Sequence, residues 1–264
     1  MPEYEYTPGF SLFYLDQDPQ ASDAVVLLHG LGASGISWQY QLPMLQACGF
    51  RALAPDLPGF GRSPYRRGSP RLPAMSQAVC ALLDQLKLER VALVGISMGG
   101  CVALQLALDH PARVERLALI NTFARLGVFH LANLPYYLTR LALIYSLGLE
   151  RQAKTVARRV FPKPGQEALR VGLIAQILEA DPAAYRATMT ALARFNVERR
   201  LGEIRVPTLV VSGEEDTTVA QEAQQRLANG IHGAQHIDVP NAGHGVTAEQ
   251  PEALNHILAD FLRR

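Results

Sequence analysis

Ser97 lies at the centre of Gly95-Ile96-Ser97-Met98-Gly99, a G-x-S-x-G, and the chemistry this spacing suggests is nucleophilic. A serine on a tight turn is pushed out of the backbone, so its hydroxyl can meet both a base and a carbonyl carbon. The residues two positions away on each side come together in such a turn, and glycine avoids the clash. A hydroxyl is too weak an acid to attack unaided at neutral pH. It needs an imidazole within hydrogen-bond reach and a carboxylate that holds the imidazole in one tautomer. It also needs donors for the oxyanion. A helix starting at about Met98 would turn its unpaired amides and positive dipole end toward that place. The competing reading is a glycine-rich turn whose serine only caps the helix.

The surrounding elements favour the first reading. Val91–Ile96 is an apolar run of the kind that forms a strand buried on both faces. The Ala/Leu-rich segment that follows has good helix propensity and stops before Pro111. Further strands are expected at Ala24–Leu28, Arg51–Pro55, Val114–Ile120, 206–211 and 236–239. Helices are expected around 38–47, 73–86 and 218–227, with a last one running to Phe261 and opened by Glu249-Gln250-Pro251. Tyr4 to Leu15 reads as an N-terminal hairpin. The pattern predicts an α/β chain with a mostly parallel central sheet flanked by helices. From Phe123 to about Gly202 the alternation lapses into amphipathic helices at 150–160, 167–178 and 182–196. The expected organisation is a core of 1–123 and 203–264, with 124–202 inserted between strands as a helical unit.

With these elements in order, the chain resembles the α/β-hydrolase family, in the serine carboxylesterase-like branch that carries a helical cap. Five motifs carry the likeness: His29-Gly30-Leu31-Gly32, the turn from Asp56 to Ser63, the Ser97 elbow, Gly213-x-x-Asp216, and Gly243-His244-Gly245. They cover essentially the whole chain outside the insertion. The resemblance implies the α/β-hydrolase fold and the order nucleophile, acid, histidine, which makes Ser97, Asp216 and His244 the candidate catalytic residues. Of the seven histidines, His244 alone joins that order to a loop after a strand and small neighbours. Glu214 and Glu215 are alternatives to Asp216, and the G-x-x-D spacing favours Asp216. The resemblance also implies an oxyanion hole from the backbone N–H groups of Leu31 and Met98. His29 and Asp56 read as loop-shaping residues. Candidates for substrate contact are Trp38, Phe123, Leu126, Phe129 and Val246; the apolar residues Leu126, Val128, Phe129, Leu131, Leu134, Tyr136 and Tyr137 serve either as an acyl pocket or as the insertion's own packing.

Composition limits the remaining choices. A chain of 264 residues with 48% hydrophobic and 19% charged residues reads as an ordinary globular protein. Its net charge of +1 points to neither nucleic acid nor membrane. The charge is uneven: residues 124–203 hold 12 Lys/Arg against 6 Asp/Glu. That field suits an anionic substrate or an acidic carrier protein, or else belongs to solvated helix faces and partners of core carboxylates. Cys48, Cys80 and Cys101 form no C-x-x-C and suit a reducing compartment, and Cys101 reads as a packing residue. The start lacks a signal-peptide pattern and no apolar run is long enough to span a bilayer, so a cytoplasmic monomer without membrane span is expected. Neither metal nor cofactor is expected, since there is no H-E-x-x-H and no second glycine fingerprint. The expected activity is cleavage of a small-molecule carboxylic ester of short-to-medium acyl length through an acyl-enzyme. Alternatives are a C–C bond hydrolase, an enol-lactonase, a methyl esterase of an acyl-carrier conjugate, and a ligand receptor built on a hydrolase fold.

Overall fold

The computed structural model describes residues 3–7, 10–65, 71–126, 135, 138–139 and 148–263. Eight strands form one sheet in the order β1-β2-β4-β3-β5-β6-β7-β8. They are β1 Glu3–Thr7, β2 Phe10–Gln17, β3 Ala24–Leu28, β4 Arg51–Pro55, β5 Val91–Ile96, β6 Val114–Ile120, β7 Thr208–Gly213 and β8 Gln235–Val239. The first two form the expected hairpin, and β2 pairs antiparallel with β4. From β4 through β8 every pairing is parallel.

Side chains of the central strands alternate between two cores, as the two-residue period of a strand requires. Val26, Leu28, Leu93, Leu117 and Leu119 join one core. Val25, Leu27, Val94, Ala118 and Ile120 join the other. Helices α2 (Leu72–Gln85) and α3 (Met98–Asp109) cover the first face. Helix α1 (Leu42–Ala47) and the last helix, Pro251–Arg263, cover the second. Because the strands run parallel, the loops after them leave the sheet at one edge. That edge receives the residues following Leu28, Pro55, Ile96, Ile120, Gly213 and Val239.

Between β6 and β7 the described chain folds as α4 (Gly148–Val160), α5 (Glu167–Glu179) and α6 (Pro182–Arg194). Asp181 caps α6, its carboxylate accepting from the amides of Ala183 and Ala184. This helical segment seats on the core where glycines leave room. Gly32 has φ +80°, and a Cβ there would lie 2.8 Å from both Ile177 and Tyr185. The Asp181 amide donates to the Gly59 carbonyl at 3.1 Å.

Two helices differ from expectation. The segment predicted as one helix over 38–47 is a 3₁₀ turn, Gly35–Trp38, followed by α1. Pro43 explains the break, since proline starts a helix but cannot run through one. The helix predicted from 218 begins later, as α7 Gln221–Gly230. The amides of Thr218 and Val219 are taken by the Asp216 carboxylate instead.

Candidate active site

Ser97 sits between β5 and α3 with φ 53° and ψ −115°, a left-handed φ that non-glycine residues rarely adopt. Neighbouring contacts hold it there. Its amide donates to the Ile120 carbonyl at 2.9 Å, and Thr122 Oγ1 donates to its carbonyl at 2.7 Å. A Cβ on Gly95 would lie 2.5 Å from the Gly99 carbonyl oxygen, and one on Gly99 would run into the Leu28 carbonyl. The elbow therefore presses against both its own helix and the neighbouring strand. That closeness brings the start of α3 beside the loop after β3.

Asp216 and His244 meet at the ends of β7 and β8. His244 Nδ1 is 2.9 Å from Asp216 Oδ2. The other carboxylate oxygen accepts the amides of Thr218 at 2.7 Å and Val219 at 3.0 Å. With its side chain buried and donors on both oxygens, Asp216 is an acceptor, so His244 carries its proton on Nδ1. Nε2 is left with its lone pair. His244 and Ser97 line the same cavity, of about 330 Å³. Among the described contacts no direct hydrogen bond joins their side chains. Glu215 turns elsewhere, pairing with Lys163 at 2.8 Å.

Leu31 lines this cavity, while the Met98 side chain is fully buried in the core and only its backbone stands at the first position of α3. Neither amide has a protein acceptor among the described hydrogen bonds. His29 shapes the loop. Its Nε2 accepts the Leu57 amide at 2.9 Å, so Nδ1 carries the proton and donates to the Gly30 carbonyl at 2.8 Å. Burial holds its pKa below the ordinary value. Asp56 likewise ties its turn, accepting from the amides of Gly35 at 2.7 Å and Arg62 at 2.9 Å.

The substrate-contact candidates divide. Phe123 and Leu126 line the cavity. Phe129 falls outside the described residues. Trp38 does not reach the cavity: it is fully buried in the second core, and the turn that holds it presents Ser37, Gln39 and Tyr40 to the cavity instead. Val246 is also core, packed with Leu254 and Leu258, while its neighbours Gly245, Thr247 and Ala248 line the cavity. In both cases the large apolar side chain went where burial removes most surface from water.

Residues 25–257 match the family described as the alpha/beta hydrolase family. The chain belongs to the alpha/beta hydrolase family. It is 36% identical over 261 residues to a relative named for carbamate hydrolysis, RutD of Variovorax paradoxus, with 96% of each chain covered. It is 30% identical to 3-oxoadipate enol-lactonase 2 of Acinetobacter baylyi, covering 91% of this chain and 89% of that one. The crystal structure of an enol-lactonase from Burkholderia xenovorans superposes with a TM-score of 0.90 at 27% identity, covering 100% of both chains. These likenesses support hydrolase activity.

Several residues of this alpha/beta hydrolase near the cavity were not singled out from sequence. Val160, Phe161, Leu173 and Leu192 bring the inserted helices to its wall, and Gln176 lines it while accepting the Ser34 amide at 3.2 Å. Phe161 packs against Gly245, directly after His244. The turn between α4 and α5 grips the histidine loop, and its Lys163 also pairs with Glu215 of the acid loop. Lys163 donates to the Asn241 carbonyl at 2.7 Å, and Gln166 donates to Glu249, which also accepts the Gly243 amide at 2.8 Å. Among the described residues no group of three or more His, Cys, Asp or Glu side chains is arranged to hold a metal ion. No described helix is long and apolar enough to cross a membrane.

Proposed function

We propose that this hydrolase is a serine esterase that cleaves small carboxylic esters of short-to-medium acyl length, with Ser97, His244 and Asp216 as its catalytic triad. One observation carries the reading: an imidazole oriented by a buried carboxylate opens onto the same cavity as a serine held in a strained turn. In this mechanism Ser97 Oγ attacks the ester carbonyl as His244 Nε2 takes its proton. Asp216 supports the imidazolium that forms. The tetrahedral oxyanion is stabilised by the amides of Leu31 and Met98, which stand ready before the reaction begins. His244 then protonates the departing alcohol, and water repeats the sequence on the acyl-enzyme to free the acid. Catalytic contacts commonly tighten only when substrate binds, so the lack of a described hydrogen bond between the Ser97 and His244 side chains is compatible with this mechanism.

The inserted helices act in this reading as a cap, and the apolar residues they place on the cavity wall favour an apolar acyl group. Of the excess positive charge on 124–203, Lys163 and Arg200 pair with carboxylates outside the segment, Glu215 and Asp109. Three free cysteines suit a reducing, cytoplasmic setting.

A second reading is hydrolysis of a small carbamate, favoured by the 36% identity to the carbamate-named relative across 96% of both chains. The two readings share the attack on a carbonyl carbon and differ in the leaving group. The test is a panel of p-nitrophenyl esters, acetate through octanoate, run beside simple alkyl carbamates and enol-lactones, with Ser97→Ala as control. Multiple turnovers of the shorter esters, reduced about 10³-fold or more in the variant, are expected. Preferential turnover of a carbamate or lactone replaces the ester assignment. A single covalent event without turnover replaces it with a receptor role.

A further inference from the structure

Strand β6 lies between the strand that leads to Ser97 and the strand that leads to Asp216. The two residues after it, Asn121 and Thr122, are 0% and 1% exposed. No catalytic step proposed above uses the side chain of either. Asn121 Nδ2 donates to the carbonyls of Gly243 and His244, both at 3.0 Å. Its Oδ1 accepts the Gly213 amide at 2.8 Å, and its own amide donates to the Val211 carbonyl at 2.9 Å. Two carbonyls at one end and an N–H at the other admit only one orientation of this side-chain amide. Its φ of 45° lies in the left-handed region, which asparagine tolerates better than most residues. Thr122 Oγ1 donates to the Ser97 carbonyl at 2.7 Å.

Two consecutive side chains therefore bond the backbone at three places: the serine turn, the end of β7 that leads to Asp216, and the histidine loop. We infer that Asn121 and Thr122 are positioning residues that set the spacing of Ser97, Asp216 and His244, with Asn121 holding acid and base and Thr122 holding the nucleophile. The inference rests on the acyl-transfer reading above and adds to it how the three groups, drawn from distant parts of the chain, are kept in register. Neither residue touches the reacting atoms. Aspartate at position 121 would keep the acceptor for Gly213 but turn a second oxygen toward two carbonyl oxygens, pushing the histidine loop away. Valine at position 122 would keep the shape and remove the hydroxyl that holds the elbow.

The test compares Asn121→Asp, Asn121→Gly, Thr122→Val, Thr122→Ser and Ser97→Ala. It measures kcat and KM on the best p-nitrophenyl ester, the rate of covalent labelling by a fluorophosphonate, and thermal unfolding. A displacement on the scale of 1 Å costs about 10²-fold in rate, so Asn121→Asp is expected to lower kcat and the labelling rate together by about 10- to 100-fold. KM should stay within about threefold, since ground-state binding is untouched. Thr122→Val is expected to lose about tenfold in both rates, and Thr122→Ser to recover most of it. The inference is overturned if Asn121→Asp and Thr122→Val stay folded with kcat within about twofold of the parent, or if the loss falls on KM alone. Should both Asn121 variants fail to fold, Thr122→Val against Thr122→Ser decides. Full turnover by Ser97→Ala would instead remove the acyl-transfer reading and this inference with it, a result separate from the others.

Discussion

His244 Nδ1 and Asp216 Oδ2 stand 2.9 Å apart, while the opposite oxygen of the same carboxylate is held by the amides of Thr218 and Val219. This one-sided occupation makes a specific prediction for Asp216→Asn. The asparagine must keep its oxygen on the two amides and turn its NH₂ group toward His244. The imidazole then accepts at Nδ1 and carries its proton on Nε2, the wrong tautomer for a base. Steady-state kinetics should show kcat lowered about 10³- to 10⁴-fold, with the melting temperature little changed. A loss under about tenfold would contradict the assignment of Asp216 as the orienting acid.

The elbow leaves no room for a methyl group at Gly99, whose Cβ would run into the backbone carbonyl of Leu28. Backbone cannot give way as a flexible side chain can. Gly99→Ala is therefore expected to lose about 3–5 kcal/mol in urea unfolding, or to fail to accumulate in soluble form. Gly202→Ala is the control, since nothing lies within 4 Å of a Cβ there. It should stay within about 0.5 kcal/mol of the parent.

His29 makes stability depend on pH. Burial lowers its pKa, and protonation of Nε2 would remove the acceptor of the Leu57 amide. As pH falls, the unfolded chain takes up this proton first, near the ordinary histidine value of about 6.5. The contribution is therefore complete above that pH and is lost as pH falls below it. Melting temperatures should decline more steeply between pH 6.5 and about 5 in the parent than in His29→Gln. Equal slopes would show that His29 is not a source of acid lability.

Burial pushes the Cys101 thiol up to about 12 and the Cys80 thiol up to about 11. Both are inert as thiols near neutral pH, because the thiolate is the reactive form. Titration of the native protein with an aromatic disulfide reagent should find one prompt thiol, Cys48, and three after unfolding in urea. Prompt modification of Cys101, which packs one turn after Ser97, would mean the elbow opens in solution.

Much of the fold was legible because strands buried on both faces leave continuous apolar runs, as in Val91–Ile96 and Ala24–Leu28. The glycines around Ser97 were legible for a related reason: close backbone approach admits few residue types. Facing was harder to read. Trp38 and Val246 sit one residue away from side chains that do line the cavity, and only the packed turn decides which of two neighbours points inward. Phe161 and Gln176 reach the site through the seating of the inserted helices, a tertiary event with no local signal. Asn121 left a trace, a polar pair directly after an apolar strand. Its reach to Gly213, Gly243 and His244 follows from strand order, which the chain does not spell out locally.

The most direct test of Ser97 as nucleophile is to treat the protein with one equivalent of diisopropyl fluorophosphate, follow ester hydrolysis as label is incorporated, and map the labelled peptide. Activity should be lost in proportion to label, with the phosphoryl group on Ser97 and almost no incorporation in His244→Ala. Complete inactivation with the label on another residue, or stoichiometric labelling of Ser97 with hydrolysis undiminished, would contradict that role.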